Sequence, residues 1–154
     1  MSRRRVKADI RPAQAGDLDA LLAIENASFP TDRLDRRALR YAIKSPTILA
    51  QVAVEGTEVA GYVLVQIRRG SDLGWLTSVA VAPSAHGKGL GRRLVEAAED
   101  AARDAGRSRM RLEVRADNRP ARKLYENAGY ARTAEMPDYY EDGQAAWRYE
   151  KALT

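Results

Sequence analysis

Residues 79–94 read Val79-Ala80-Val81-Ala82-Pro83-Ser84-Ala85-His86-Gly87-Lys88-Gly89-Leu90-Gly91-Arg92-Arg93-Leu94, and this stretch decides the fold. It predicts an apolar strand up to Val81, a turn at Pro83 and a helix from about Gly89. Apolar residues continue at helical spacing, at positions 90, 94, 97, 98, 101 and 102. A strand, a glycine-rich loop and a helix N-terminus in this order suit a phosphate, because the first helical N–H groups lack internal partners and the helix dipole is positive there.

Two common phosphate-binding motifs do not fit this loop. The Rossmann motif needs Gly-x-Gly-x-x-Gly, whereas the loop reads Gly87-Lys88-Gly89-Leu90-Gly91. The Walker motif needs four residues between its glycines and a following Lys-Ser or Lys-Thr, which is absent. A loop whose glycines merely turn the chain remains an open alternative.

The stretch resembles motif A of the GNAT acetyltransferases, Arg/Gln-x-x-Gly-x-Gly/Ala, with His86, Gly89 and Gly91 at the three fixed places. The resemblance implies that the loop amides bind the pyrophosphate of acetyl-CoA and that the acetyl thioester lies along the preceding strand. It assigns the cofactor contacts to Val79, Ala80, Val81, His86, Gly87, Lys88, Gly89, Leu90, Gly91 and Arg92. His86 replaces the usual Arg or Gln, so a side-chain contact from this position is in doubt.

Composition limits the classes of protein. The chain has 154 residues, 45% hydrophobic and 31% charged, which fits one globular domain over 6–154 after a basic tail at 1–5. No apolar run approaches 18 residues and no apolar signal-peptide core follows the start, so we expect a cytoplasmic protein without a membrane span. Zero cysteines and one histidine argue against a metal site. The net charge of +5 suits an anionic cofactor, and nucleic-acid binding is disfavoured because no aromatic platform accompanies the tail.

Periodicity and turn residues predict mixed strands and helices. Strands are expected at 6–12, 48–54, 58–67, 73–81, 110–114, 130–133 and 144–151. Helices are expected at 18–27, at about 36–45, from 89 to about 105 and at about 119–128, with N-caps at Asp17, Asp35 and Asn118. This order predicts an α/β (α+β) domain. The GNAT resemblance implies a mixed, mostly antiparallel sheet of about seven strands flanked by about four helices.

Two later segments, Leu112–Asn118 and Leu124–Tyr130, resemble motif B of the same family. More narrowly, they resemble the ribosomal-protein-alanine N-acetyltransferases and their close relatives, which acetylate protein N-termini. The resemblance implies that Glu113 is the general base, that Tyr125 is the acid and a cofactor contact, and that Asn118 also contacts the cofactor. It places acceptor contacts at Phe29, Pro30, Tyr139 and Tyr140.

The residues themselves leave alternatives open. Glu113 can take a proton from an amine, but it could also be a strand residue paired with Arg111 or Arg115. Tyr125 could be core packing. The backbone N–H of Val79 or Val81 could polarise a thioester carbonyl if a β-bulge nearby freed it from regular pairing.

The sequence therefore predicts an acetyl-CoA-dependent N-acetyltransferase, monomeric or homodimeric, that acts on a primary amine. A protein N-terminal α-amine is the first choice, because neutralising it at pH 7 costs about 1.4 kcal/mol, against about 4.6 kcal/mol for a lysine. The alternatives are a lysine or small-molecule amine as acceptor, and a non-catalytic acetyl-CoA-binding module.

Overall fold

The computed structural model describes residues 8–153, in which seven strands form one sheet. The strands are β1 (Asp9–Pro12), β2 (Ile48–Glu55), β3 (Glu58–Ile67), β4 (Leu73–Val81), β5 (Arg109–Arg115), β6 (Ala131–Met136) and β7 (Ala146–Ala152). The helices are α1 (Leu18–Ser28), α2 (Arg36–Lys44), α3 (Leu90–Asp104) and α4 (Arg119–Asn127). The predicted basic tail, residues 1–5, lies outside the described residues.

The sheet has the order β1-β2-β3-β4-β5-β7-β6. Neighbouring strands are antiparallel except β4 and β5, which are parallel. The expected mixed, mostly antiparallel sheet with seven strands and four helices is thus confirmed. The last strand, β7, lies between β5 and β6, so the β6–β7 hairpin extends the sheet beyond β5.

Helices cover both faces of the sheet. Side chains alternate between the two faces along each strand, so each face presents apolar residues on which helices pack. On one face, the apolar residues of α3 and α4 pack on residues such as Val63, Leu112 and Tyr149. On the other face, α1 and α2 pack on Val52, Tyr62 and Leu64. The sheet is therefore buried from both sides in its centre.

Local turn chemistry explains most element boundaries. Gly56, at φ +62°, forms the β2–β3 turn, which is a conformation that glycine adopts without strain. Asp35 accepts the N–H of Ala38 and Asn118 accepts that of Ala121, so both predicted N-caps are confirmed. The first strand begins at Asp9, and residues 6–7 of its predicted span lie outside the described residues.

Asp17 occupies the predicted N-cap position of α1, but its side chain does not cap the helix. Asp17 ends a short 3₁₀ turn (Ala15–Asp17) and has helical backbone angles. Its carboxylate accepts the N–H of Gln14 at 2.7 Å and a bidentate pair from Arg11 at 2.8 and 3.0 Å. The ion pair with Arg11 also lowers the pKa of Asp17, chiefly through the side-chain hydrogen bond. A contact with β1 has therefore replaced the local cap.

Candidate active site

The strands β4 and β5 pair only at their beginnings and then separate. The parallel pairing runs from Leu73 with Arg109 to Trp75 with Arg111. Beyond this point β4 stays paired with β3, and β5 stays paired with β7. The second halves of the two central strands therefore border an opening in the middle of the sheet.

The edge of β4 that borders the opening carries free backbone groups. Ala82 donates its N–H to Ala60 on β3 at 2.8 Å. Because successive peptide groups of a strand point to opposite edges, those of Val81 and Val79 point away from β3. The β3–β4 register also shifts so that Leu64 faces Ser78 and Val65 faces Leu76, which leaves a bulge at Thr77. The sequence analysis expected such a β-bulge near Val79 and Val81, where it could free a backbone N–H from regular pairing.

The glycine loop follows directly after this edge. Gly87 and Gly89 have φ of +80° and +75°, and a Cβ built on either would meet nothing within 4 Å. Gly89 is the N-cap of α3 and no side chain caps this helix. The first-turn N–H groups of α3, at residues 90–92, are therefore left for an anion in the open space that the glycines leave.

The charged side chains around this loop already have partners. Lys88 lies 3.5 Å from Glu55, and Arg92 lies 3.3 Å from Glu96 one turn along α3. His86 is exposed, and its Nε2 lies 2.9 Å from the carbonyl oxygen of Val81. In this geometry Nε2 is the donor, and His86 fastens the loop to the end of β4. The cradle is thus made of backbone groups, and its cations are partly neutralised.

Glu113 lies on β5, on the sheet face opposite to α3 and α4. Its Oε1 accepts the indole N–H of Trp75 at 2.8 Å, and its Oε2 accepts Nε of Arg148 at 2.9 Å. Arg148 is its direct neighbour on β7. The alternative of an ion-paired strand residue therefore describes Glu113 in part, but the partner is Arg148 and neither Arg111 nor Arg115. The two bonds fix the direction of the carboxylate.

Tyr125 lies on α4, and only 6% of it is exposed. Burial raises the pKa of its hydroxyl, and the nearby Tyr140 adds to the effect. Its ring packs edge-on against Tyr130, with ring centroids 5.9 Å apart. The packing alternative therefore holds for the ring, while the hydroxyl stays protonated and can donate a hydrogen bond. Asn118 uses its Oδ1 for the cap of α4, which leaves its amide N–H₂ as a donor.

Two loops flank the opening on the α1–α2 side of the sheet. We define the α1–α2 loop as residues 29–35 and the β6–β7 loop as residues 137–145. Phe29 is half-buried against the α1–α2 core cluster and Pro30 is exposed. Tyr139 is 48% exposed, and its ring packs edge-on against Tyr140 at 5.0 Å.

The pKa of the Tyr140 hydroxyl responds to charges of neighbouring site residues. Burial raises its pKa to about 12, Tyr139 and the negative charges of Glu113 and Asp32 add to the shift, and Arg115 opposes it. The hydroxyl of Tyr140 also contributes to the raised pKa of Tyr125. Side chains from both loops therefore meet at the end of β5, around Arg115 and Tyr140.

Comparison with known proteins identifies the family. The model of the acetyltransferase (GNAT) family matches residues 18–130. This chain belongs to the GNAT acetyltransferase family. The family is one of acetyl-CoA-dependent N-acetyltransferases, so the chain is an acyltransferase with acetyl-CoA as donor. The open, glycine-lined cradle fits the pyrophosphate of that donor.

The chain is similar in sequence to two N-acetyltransferases and in structure to a third. The chain is 33% identical to an uncharacterized N-acetyltransferase of Methanocaldococcus jannaschii, over 89% of this chain and 86% of the relative. It is 26% identical to an N-alpha-acetyltransferase of Saccharolobus solfataricus, with 94% and 92% covered. The crystal structure of the ribosomal-protein-S18-alanine N-acetyltransferase from Escherichia coli superimposes with a TM-score of 0.85 at 25% identity, covering 96% and 94%.

Three residues of this GNAT site escaped the sequence interpretation. Trp75 and Arg148 hold Glu113, and Arg115 contacts both loops. Their partners lie 27 to 83 residues away, so no local spacing could reveal them. The alternation of Arg109, Arg111, Glu113 and Arg115 along β5 was the available signal, because it places four charges on one sheet face.

Neither a metal-binding cluster nor a membrane-spanning helix is present in residues 8–153. In that part of the chain, no cluster of three or more His, Asp or Glu side chains could hold a metal ion. None of the helices there combines the length and apolar character that crossing a bilayer requires.

Proposed function

We propose that this chain transfers the acetyl group of acetyl-CoA to the N-terminal α-amine of a protein or peptide. The observation that carries the proposal is the opening between β4 and β5, because it joins a glycine cradle, free strand N–H groups and a fixed carboxylate at one place. The names of two relatives, an N-alpha-acetyltransferase and a ribosomal-protein-alanine N-acetyltransferase, support an α-amine as acceptor.

The donor half of the proposed site binds and orients acetyl-CoA. The first N–H groups of α3 and the amides of Gly87 and Gly89 receive the pyrophosphate. The free amide of Asn118 and the strand Val79–Val81 contact the rest of the cofactor. The N–H of Val79 or Val81 donates to the thioester oxygen as negative charge develops there. Bound acetyl-CoA supplies the electrophilic carbonyl and the thiolate leaving group.

The acceptor half of the proposed site removes protons from the attacking amine. A protonated α-amine loses two protons when the new C–N bond forms and the C–S bond breaks. One leaves during bond formation and goes, directly or through a water, to the departing thiolate. The other must leave before the nitrogen can attack. Glu113 takes this proton on its carboxylate, directly or through a water, since each oxygen keeps a lone pair beside its bond to Trp75 or Arg148.

Tyr125 stabilises the leaving sulfur by donating a hydrogen bond. Because burial raises the pKa of Tyr125, full transfer of its proton to a thiolate with a pKa near ~8.5 would be uphill. In this proposal Tyr125 therefore donates a hydrogen bond to the sulfur and does not transfer its proton. This differs from the sequence-based prediction, in which Tyr125 gives its proton to the sulfur.

The acceptor enters between the two flanking loops. Phe29, Pro30, Tyr139 and Tyr140 provide apolar and aromatic surface there, and Pro30 and Tyr139 are exposed for it. The cytoplasmic location and the oligomeric state stay predictions.

The test is a panel of acceptors incubated with acetyl-CoA: peptide N-termini, lysine peptides with blocked N-termini, polyamines and free amino acids. Thiol release measures turnover, and mass spectrometry identifies the product. The proposal expects the fastest turnover with free peptide N-termini. Turnover confined to lysine peptides or to small amines would contradict it.

A further inference from the structure

Arg115, the last residue of β5, forms ion pairs with carboxylates from both flanking loops. Its Nη2 lies 2.5 Å from Oδ2 of Asp142 in the β6–β7 loop. Its Nη1 lies 3.8 Å from Oδ2 of Asp32 in the α1–α2 loop. Its Nε lies 3.2 Å from Asp117, just beyond the end of β5. One guanidinium thus joins two loops that are more than 100 residues apart in the chain.

The same guanidinium also contacts an aromatic residue of the proposed acceptor site. Its Cζ lies 4.8 Å from the ring centroid of Tyr140, within the range of a cation–π contact. The Nη1 atom is buried and has no hydrogen-bond partner in the described part of the chain, and Oδ2 of Asp32 lies 3.8 Å away, beyond hydrogen-bond distance. Arg115 therefore has a short, hydrogen-bonded ion pair with the β6–β7 loop and a longer ion pair with the α1–α2 loop.

Backbone conformation gives independent evidence that the two loops are held. Among residues 8–153, Asp32 and Asp138 are the non-glycine residues with positive φ, at +54° and +53°. One lies in each loop. Among residues other than glycine, Asp adopts the left-handed conformation more readily than most, but still at some cost, so contacts that hold it in place matter. For Asp32, the ion pair with Arg115 is such a restraint.

We propose that Arg115 is a positioning residue that sets the separation of the α1–α2 and β6–β7 loops for the acceptor. The inference rests on the proposed function, in which the acceptor passes between these loops. Arg115 acts through Asp32, Asp142 and Tyr140 and contacts none of the predicted catalytic groups by hydrogen bond. Its effect belongs to acceptor binding and not to the acetyl-CoA cradle, which lies at the N-terminus of α3.

The expected change in acceptor KM depends on how far the ion pairs of Arg115 are exposed to solvent. The side chains of Arg115, Asp32 and Asp142 are 24%, 40% and 52% exposed, so solvent and salt screen these pairs. Exposed ion pairs contribute about 0–1 kcal/mol each, so losing one or two raises an acceptor KM by up to about 5- to 25-fold. The folded core, which packs elsewhere, is expected to lose little stability.

The kinetic test compares Arg115→Gln, Arg115→Lys and Arg109→Gln with the parent chain, using a peptide that begins with alanine. Arg109 is the matched control, because it lies on the same strand and face and pairs with Glu150 at 2.5 Å, far from both loops. We expect Arg115→Gln to raise the peptide KM and to leave kcat and the acetyl-CoA KM within about twofold. The peptide KM of Arg115→Lys should lie between those of the parent chain and Arg115→Gln, because lysine keeps the charge but lacks the planar guanidinium.

A second measurement needs no acceptor. Hydrogen exchange of residues 29–35 and 137–145 should speed up together in Arg115→Gln, and in the parent chain at high salt, but not in Arg109→Gln. If the parent chain acetylates no peptide, the proposed function fails and this exchange comparison alone decides the role of Arg115. Unchanged exchange in either loop, or an acetyl-CoA KM that rises as much as the peptide KM, would overturn the inference.

Discussion

At the scale of single residues, the arrangement around Glu113 defines the chemistry. Its carboxylate is only 12% exposed, and both oxygens accept hydrogen bonds from fixed donors. The ion pair with Arg148 orients the group, and an amine or a water can approach the lone pairs that remain. The carboxylate can therefore serve both as a proton acceptor and as a structural partner, and variants must separate the two roles.

Glu113→Gln is expected to keep acetyl-CoA binding and to slow turnover by about 10²- to 10⁴-fold. The loss should be largest at low pH and should shrink as pH rises, because more of the acceptor amine is then already neutral. The measurement is kcat/KM against pH. Arg148→Gln is the control, since it breaks the same ion pair and keeps the carboxylate. An equal, pH-independent loss in both variants would assign Glu113 a structural role only.

Tyr125→Phe removes the hydroxyl and keeps the ring that packs on Tyr130. Turnover should fall by about 10²- to 10³-fold, the usual cost of losing one donor to a developing charge. The free energy of unfolding should stay within about 1 kcal/mol of the parent value, because the ring contacts persist. Denaturant unfolding and steady-state kinetics measure the two quantities. A stability loss without a rate loss would indicate that Tyr125 is core packing.

Gly91→Asp separates ligand binding from folding. Gly91 lies in the first turn of α3, and a Cβ there would meet Leu124 at 3.6 Å, an ordinary contact. A carboxylate at this end of a helix is favourable by about 0.3–1 kcal/mol, so the ligand-free melting temperature should hold or rise. The rise in melting temperature caused by acetyl-CoA should vanish through repulsion of the pyrophosphate. Gly91→Ala, the uncharged control, should retain most of it; full retention in Gly91→Asp would refute the cradle.

At the scale of elements, α3 packs closely on β3 at Gly61. A Cβ on Gly61 of β3 would come within 2.9 Å of both the carbonyl oxygen of Ala80 and Cδ1 of Leu94. Leu94 is fully buried in the core between α3 and the sheet. The absence of a side chain at position 61 therefore lets Leu94 of α3 pack directly on β3, and α3 carries the proposed cradle.

Gly61→Ala is expected to destabilise the fold by about 1–3 kcal/mol, because a backbone oxygen and a packed leucine must move. It should also weaken acetyl-CoA binding, since the start of α3 shifts relative to β4. Denaturant unfolding and calorimetric titration test both effects. Gly16→Ala serves as the control, because a Cβ there meets nothing within 4 Å. Unchanged stability in Gly61→Ala would contradict the close approach.

The elements also show how far sequence reasoning reaches. β4, with bounds at 73 and 81, and the starts of α2, α3 and α4 were predictable, because local signals such as Asp35, Gly89 and Asn118 set them. The position of β7 between β5 and β6, and the early end of the β4–β5 pairing, depend on contacts between distant segments. Asp17 shows a related limit at shorter range, because its side chain pairs with Arg11 of β1, six residues earlier, and does not cap α1.

At the scale of the whole molecule, the two sides of the site carry different charges. The chain has a net charge of +5, and the cradle side includes Lys88 and Arg92. At the other side, Arg115 faces three carboxylates, those of Asp32, Asp117 and Asp142. The positive end of the α3 dipole suits an anionic cofactor, and the surplus of carboxylates around Arg115 suits a protonated amine. These fields belong to the folded arrangement, because composition alone gives only their sum.

The most direct measurement uses one peptide that has both a free N-terminal alanine and an internal lysine, incubated with the full chain and acetyl-CoA. Tandem mass spectrometry locates the acetyl group, and the same peptide with a blocked N-terminus serves as the control. The account predicts acetylation at the α-amine and loss of turnover with the blocked peptide. Acetylation of the lysine at equal or higher rate in both peptides would contradict the central claim.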